Sequence, residues 1–245
     1  MWHRLALLLG LLLSIPAWSE TITVAADPYP PFVDSTQPKQ GITLQIVRAA
    51  YATQGYDIEM HFVPWARAIN AVRNGEYDIL PNAWWTQERT TFLLYSAPYL
   101  KTEIKFIKRK GDPFEYTGLE SLNGKTVGIV RGYGYGDLFL NATNFARPEV
   151  GSIMQNIKKL LLGRIDLTLE DEIVVRSLLK QDAPDLQQQI EFTQNPLSTQ
   201  ELHVTSGLKN PRHKAIIEAF NKGLAAIKAN GTYDKILTEN GLKRP

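Results

Sequence analysis

The 245-residue chain contains no cysteine. Disulfides, thiolate metal sites and cysteine nucleophiles are therefore excluded. It also lacks an excess of either charge: 27 basic residues meet 25 acidic ones, a formal net of +2. No basic run or basic-aromatic repeat stands out, so nucleic acid is not expected as a partner. After Glu20 there is no apolar run approaching the roughly 20 residues that span a bilayer. Nor is there a stretch rich in Gly, Pro or Ser that could serve as a floppy tether. His61, His203 and His213 are scattered over strand-like or surface contexts, form no dyad pattern, and default to structural roles. No metal and no cofactor are expected.

A targeting segment comes first among the features that are present. Met1-Trp2-His3-Arg4 carries positive charge, Leu5 to Ile15 is apolar, and Pro16 breaks the run. Ala17-Trp18-Ser19 then puts small residues where a signal peptidase reads them, which predicts cleavage before Glu20 and export to the periplasm. A hydrophobic content of 44% allows a sizeable core, in one large domain or two modest lobes.

Periodicity predicts a strand at Thr21–Ala25 and a stiff loop at Asp27–Phe32, where prolines forbid a helix or a central strand. A helix from Gly41, a strand over Asp57–Val63 and a helix after Pro64 follow. Asn74-Gly75 ends that helix as a C-cap. A strand at Ile79-Leu80 completes a β-α-β-α-β order, which implies a largely parallel sheet. The chain is then expected to turn through Asn82-Ala83-Trp84-Trp85 toward Arg89.

A second α/β set starts after a strand at Glu103–Lys108. It comprises a strand over Lys125–Val130, a glycine-rich loop Arg131–Gly136, a helix beginning near Asp137 and a helix around Ile153–Leu162. A strand over Ile165–Leu169 and a helix from Asp171 come next, then separate strands at Gln187–Phe192 and Glu201–Ser206. A long helix over Pro211–Ala229 and a capped terminal helix close the chain. The restart of the pattern suggests two similar lobes.

Arg89, just past a strand end and close to Trp84 and Trp85, has the composition of a small-anion site. A guanidinium takes a carboxylate through two parallel hydrogen bonds, and an indole face can cover the apolar part of a ligand. Gly132, Gly134 and Gly136 do not have the dinucleotide spacing. Flexibility for lobe closure is their expected use, and the loop's backbone N–H groups suit a carboxylate. Asp171 stands where it could cap the next helix. Glu170 and Glu172 read as solvated or first-turn charges, and Trp65 as core.

Six segments stand together in order: Tyr29-Pro30-Pro31-Phe32, Gly75-Glu76-Tyr77-Asp78, Thr86-Gln87-Glu88-Arg89 with Ser96-Ala97-Pro98-Tyr99, Leu119 to Gly128, Gly163-Arg164-Ile165-Asp166, and Gly231 to Ile236. On these the chain resembles family 3 of the bacterial extracellular solute-binding proteins, the periplasmic receptors of polar-amino-acid ABC transporters. The resemblance covers essentially the whole chain after residue 19. It implies an α/β, two-lobed type II binding-protein fold, each lobe a mixed sheet flanked by helices, joined by a two-strand hinge. The implied lobes are 20–102 with 201–245, and 103–200.

In site terms the resemblance implies that Arg89 clamps a ligand carboxylate, Asp171 takes an ammonium and Tyr29 covers the ligand. Asn82 and Trp84 stand where the family has small serine or threonine positions. Gly134 and Arg131 face the ligand from the second lobe. The implied function is a monomeric receptor, not an enzyme, that hands a small carboxylate-bearing solute to a membrane ABC permease. Two alternatives are a dehydratase-like enzyme on the same fold, with an acid from Glu170–Glu172, and a ligand-sensing partner of a membrane receptor.

Overall fold

The computed structural model describes residues 20–242. The expected export segment, residues 1–19, lies outside the described residues. The first elements are β1 (Glu20–Ala26), α1 (Ile42–Ala52), β2 (Tyr56–Phe62), α2 (Trp65–Asn74) and β3 (Leu80–Trp84). β1 and β2 pair in parallel from Glu20↔Tyr56 to Ala26↔Phe62, and Val24 bridges Ile79 in parallel. Pro64 sits at the N-cap of α2, and Gly75, left-handed at φ 81°, ends it.

Next come β4 (Leu93–Tyr95), β5 (Leu100–Arg109), β6 (Val127–Val130), α3 (Asp137–Asn141) and β7 (Glu149–Val150). They are followed by α4 (Ile153–Leu161), β8 (Leu167–Asp171), α5 (Glu172–Asp182), β9 (Ile190–Gly207), α6 (His213–Ala229) and α7 (Thr232–Glu239). A mixed sheet runs in the order β3-β9-β5-β8-β6-β7, with β4 also on β9. β6 pairs in parallel with β7 and β8, whereas β5 is antiparallel to both β8 and β9. Two α/β lobes result, joined through β5 and β9. Those two strands pair from Leu100↔Leu202 to Arg109↔Ile190, and their register breaks between Ile104 and Ile107.

Two expectations are corrected. Asn82 and Trp84 do not turn; they continue β3, which pairs with β9 across a bulge between Leu80 and Ala83. Pro81 cannot donate to the ladder, and the bulge absorbs it. The strands expected at Gln187–Phe192 and Glu201–Ser206 are parts of one 18-residue β9, preceded by a 3-10 turn over Pro184–Gln189. Local pattern cannot reveal that β5 offers one long partner to both. The parallel order expected of the first strands holds at β1, β2 and Ile79, and the antiparallel β9 and β5 make the larger sheet mixed.

Two of the short sequence segments have the same job in the two lobes. Asp78, which ends Gly75–Asp78, accepts from the Thr23 backbone N–H and hydroxyl, both at 2.9 Å. It also takes Asn210 Nδ2 and the Arg212 guanidinium, each at 2.8 Å. Asp166, which ends Gly163–Asp166, accepts from the Thr126 N–H at 2.7 Å. Each carboxylate thus ties the loop ahead of a later strand to the region of its lobe's first strand.

Asp78 is 8% exposed and answers four donors. Removing a buried acceptor leaves donors desolvated and unpaired. Asp78→Ala is expected to destabilise by about 2–4 kcal/mol, read as a lower urea midpoint at unchanged m-value.

Candidate functional site

The stiff loop after β1, the N-terminus of α2, the end of β3 and the loop after β6 converge between the lobes. Asp27, Tyr29, Trp65, Asn82, Trp84, Arg89 and Tyr133 line one cavity there. About 20 Å³ of the space there admits the centre of a water molecule. That is room for roughly one water.

Arg89 is 4% exposed. Its Nη1 donates to the Trp84 carbonyl at 2.8 Å and its Nη2 to the Gly132 carbonyl at 2.7 Å. Its Cζ lies 5.4 Å from the Trp65 ring centroid. Among the described residues no carboxylate comes within ion-pair distance of the guanidinium. Burial disfavours its charged form and lowers its pKa from the ordinary value.

The glycines of the second-lobe loop explain the fit. Gly132 is left-handed at φ 76°, a conformation that suits glycine, and its carbonyl receives both Arg89 and Trp65 Nε1 (2.9 Å). At Gly134 a Cβ would lie 2.6 Å from Thr86 Cγ2 and 3.3 Å from Arg89 Cζ. Glycine is needed there for close approach as well as for any flexibility.

Aromatic rings form the walls. Trp84 meets Tyr133 edge-on at 5.3 Å and Tyr29 at 6.3 Å between centroids, and Trp65 meets Tyr133 at 5.9 Å. Their faces carry negative potential, which favours a cation between them. Asn82 turns a buried Oδ1 with no hydrogen-bond partner among the described residues into this region.

The acids lie on the other side. Asp27 lines the cavity and accepts the Tyr133 hydroxyl at 3.0 Å. Burial of its carboxyl pushes its pKa up to about 7, partly offset by that hydrogen bond. Glu170 is 0% exposed, not solvated as its sequence position suggested. Its Oε1 accepts the Tyr29 hydroxyl at 3.0 Å and the Asp171 N–H at 2.9 Å, while Oε2 has no hydrogen-bond partner among the described residues. Burial pushes its pKa up to about 8 against those two hydrogen bonds, with the nearby charges of Asp171 and Asp27 adding to the rise.

Other candidates sit elsewhere. Asp171 caps α5, accepting from Ile173 N at 2.7 Å and Val174 N at 3.2 Å, and its second oxygen takes Glu103 N at 3.1 Å. Both oxygens are committed to backbone, and Asp171 does not line the cavity. Arg131 is exposed and pairs with Glu149 at 3.4 Å, while its N–H donates to Val150. Glu172 faces Lys105 and Arg176. Sequence reasoning passed over Asp27 and Tyr133, while Trp65, expected in the core, is buried there and also lines the cavity. Asp27 ends β1 in the proline loop, and Tyr133 stands between two glycines. Those positions are the signals that could have flagged both.

The family model for bacterial extracellular solute-binding proteins, family 3, matches residues 22–242. The chain is 24% identical over 232 residues to the arginine-binding periplasmic protein of Mannheimia haemolytica, covering 91% of each. Among solved structures it is similar to an ancestral arginine-binding protein bound to arginine, with TM-score 0.75, 23% identity, and 89% and 97% of the two chains covered. A histidine kinase sensor domain with similarity to periplasmic binding proteins aligns at TM-score 0.78 and 19% identity, covering 93% of this chain and 99% of that one.

The raised Glu170 pKa has a defined consequence for stability. Between its unfolded value near 4.5 and its folded value of about 8, the native state holds the extra proton. Its contribution is therefore most favourable below pH 4.5 and is lost as pH rises through about 8. Unfolding free energy of the ligand-free protein is expected to fall by a few kcal/mol from pH 5 to pH 8.5. Glu170→Gln should flatten that slope and be the more stable protein at pH 8.5, as measured by urea titration across pH.

Proposed function

Because the chain belongs to family 3 of the bacterial extracellular solute-binding proteins, we propose that it is an exported receptor for a small carboxylate-bearing solute. The solute is an amino acid or close relative, and delivery is to an ABC permease in the membrane. One observation carries this reading. Arg89 is buried against a cavity, its guanidinium donating to two backbone carbonyls, and no carboxylate among the described residues lies within ion-pair distance of it. A buried cation in that situation is costly, and a ligand carboxylate would supply the missing charge through a charge-assisted pair.

Asp27 lines the same cavity and would take the ligand's ammonium. Tyr29, Trp65 and Trp84 cover what lies between. On this reading 20–102 with 201–245 form one lobe and 103–200 the other. Asp27, Tyr29, Trp65, Asn82, Trp84 and Arg89 belong to the first and Tyr133 to the second. Four sets of hydrogen bonds cross that division: Tyr133 to Asp27, Tyr29 to Glu170, Trp65 and Arg89 to Gly132, and Gln181 to Asp34. Ligand strengthens the closed form by adding contacts that the open form lacks. The register breaks between Ile104 and Ile107 are where β5 and β9 would flex.

The similarity to arginine-binding proteins supports the amino-acid class. The protein is a binding protein rather than an enzyme on this reading. Glu170 is buried with a raised pKa, as an acid catalyst would be, but it sits behind Tyr29 and does not line the cavity.

Calorimetry with the standard amino acids and glycine betaine tests the reading. At least one solute is expected to bind, and Arg89→Ala should weaken it by about 100-fold or more, since truncating one partner of a buried charge pair costs roughly 2–5 kcal/mol. Heat from none of them, or equal affinity in the variant, would overturn it. A cationic group bound at Asp27 stabilises that carboxylate in its ionised form. Binding at pH 6.5 should therefore release protons, seen as a dependence of the measured heat on buffer ionisation enthalpy.

A further inference from the structure

We infer that Tyr133 is the residue that sets the size limit of the ligand, and that the site takes a compact zwitterion. This rests on the carboxylate-anchoring reading of Arg89. Tyr133 lines the cavity beside Arg89 and also a second, larger chamber, in which about 440 Å³ admits the centre of a water molecule. Asp27, Tyr29 and Tyr133 line both, so the boundary between the two runs along these three residues.

Three contacts hold the ring in place. Its hydroxyl donates to Asp27 Oδ2 at 3.0 Å, and its faces and edges meet Trp84 at 5.3 Å and Trp65 at 5.9 Å. Its backbone N–H donates to Val130 at 3.2 Å, between the left-handed Gly132 and the closely packed Gly134. The loop is thereby committed to carrying one large side chain into the cleft.

The two chambers differ in chemistry. The inner one holds a cation at Arg89, an acid at Asp27 and aromatic walls. About 20 Å³ of it admits the centre of a water molecule, against about 440 Å³ in the outer one. The outer one is lined largely by apolar groups, among them Phe62, Val63, Pro64, Ile153, Met154 and Leu178. A solute with its carboxylate on Arg89 and its cationic nitrogen facing Asp27 meets Tyr133 where a long side chain would begin. L-alanine, L-proline or glycine betaine fits that description. L-phenylalanine and L-arginine do not, because their side chains need the outer chamber.

Wild type, Tyr133→Ala and Tyr133→Phe are to be titrated calorimetrically with those five solutes, and each protein's fold is checked by its thermal transition. The wild type is expected to bind at least one compact solute at least tenfold more tightly than either long one, about 1.4 kcal/mol. Tyr133→Ala should gain tenfold or more for L-phenylalanine, whereas Tyr133→Phe, which keeps the ring and loses the hydroxyl, should keep the wild-type order. L-arginine or L-phenylalanine binding wild type as tightly as the compact solutes overturns the inference whether or not the alanine variant folds. So does an unchanged order in a folded Tyr133→Ala. In either case loss of binding in Arg89→Ala leaves the anchoring reading standing. Silence from all five solutes in wild type overturns this inference, while heat from any other standard amino acid that is lost in Arg89→Ala leaves the reading on which it rests standing.

Discussion

Taking a guanidinium out of water is unfavourable by several kcal/mol unless its charge and its N–H groups are answered, and the cleft is arranged about that constraint at Arg89. Backbone carbonyls answer two of its donors, one from the end of β3 and one from the loop after β6. Those carbonyls are dipoles and not anions, so the N–H groups are satisfied while the charge is not. The aromatic ring of Trp65 contributes negative potential from one side. The arrangement holds the cation dry and in place and leaves it suited to a carboxylate.

The acids near the cleft obey the complementary rule. Asp27 and Glu170 are carboxyls held in surroundings that favour their neutral forms, each accepting a tyrosine hydroxyl. On the proposed reading a solute's ammonium would meet Asp27, while Glu170, behind Tyr29, stays out of its reach. Because the same tyrosine bonds join residues distant in sequence across the cleft, electrostatic relief and lobe closure draw on the same groups.

Inside each lobe the polar chemistry is of a different kind. Asp78 and Asp166 are surrounded by donors and tie their loops to neighbouring strands. Asp171 spends both oxygens on backbone N–H groups of α5 and β5. These carboxylates are fully answered and make the lobes firm. Two of the buried polar atoms without a partner among the described residues, Asn82 Oδ1 and Glu170 Oε2, lie at or beside the cavity, and the others belong to Thr102, Arg147, Asn156 and Thr205.

Most secondary elements were legible from periodicity, proline and glycine, because helix faces and caps are local properties: α2 ends at Gly75 and α5 starts after Asp171, where those residue types led one to look. The short segments carrying Arg89 pointed to the two-lobed fold and to one cation of importance. The chain alone could not show that β9 is a single 18-residue strand, since that depends on the partner β5 provides. Nor could it show which carboxylates meet the cleft. Asp27, Glu170 and Asp171 are all acids near strand ends, and only the packing of the lobes leaves Asp27 lining the cavity, buries Glu170 behind Tyr29 and turns Asp171 back on its own helix. Residue type and local spacing determine what a side chain can do, but its solvation and its partners depend on segments distant in the chain, more than a hundred residues away for Asp27 with Tyr133 and for Glu170 with Tyr29.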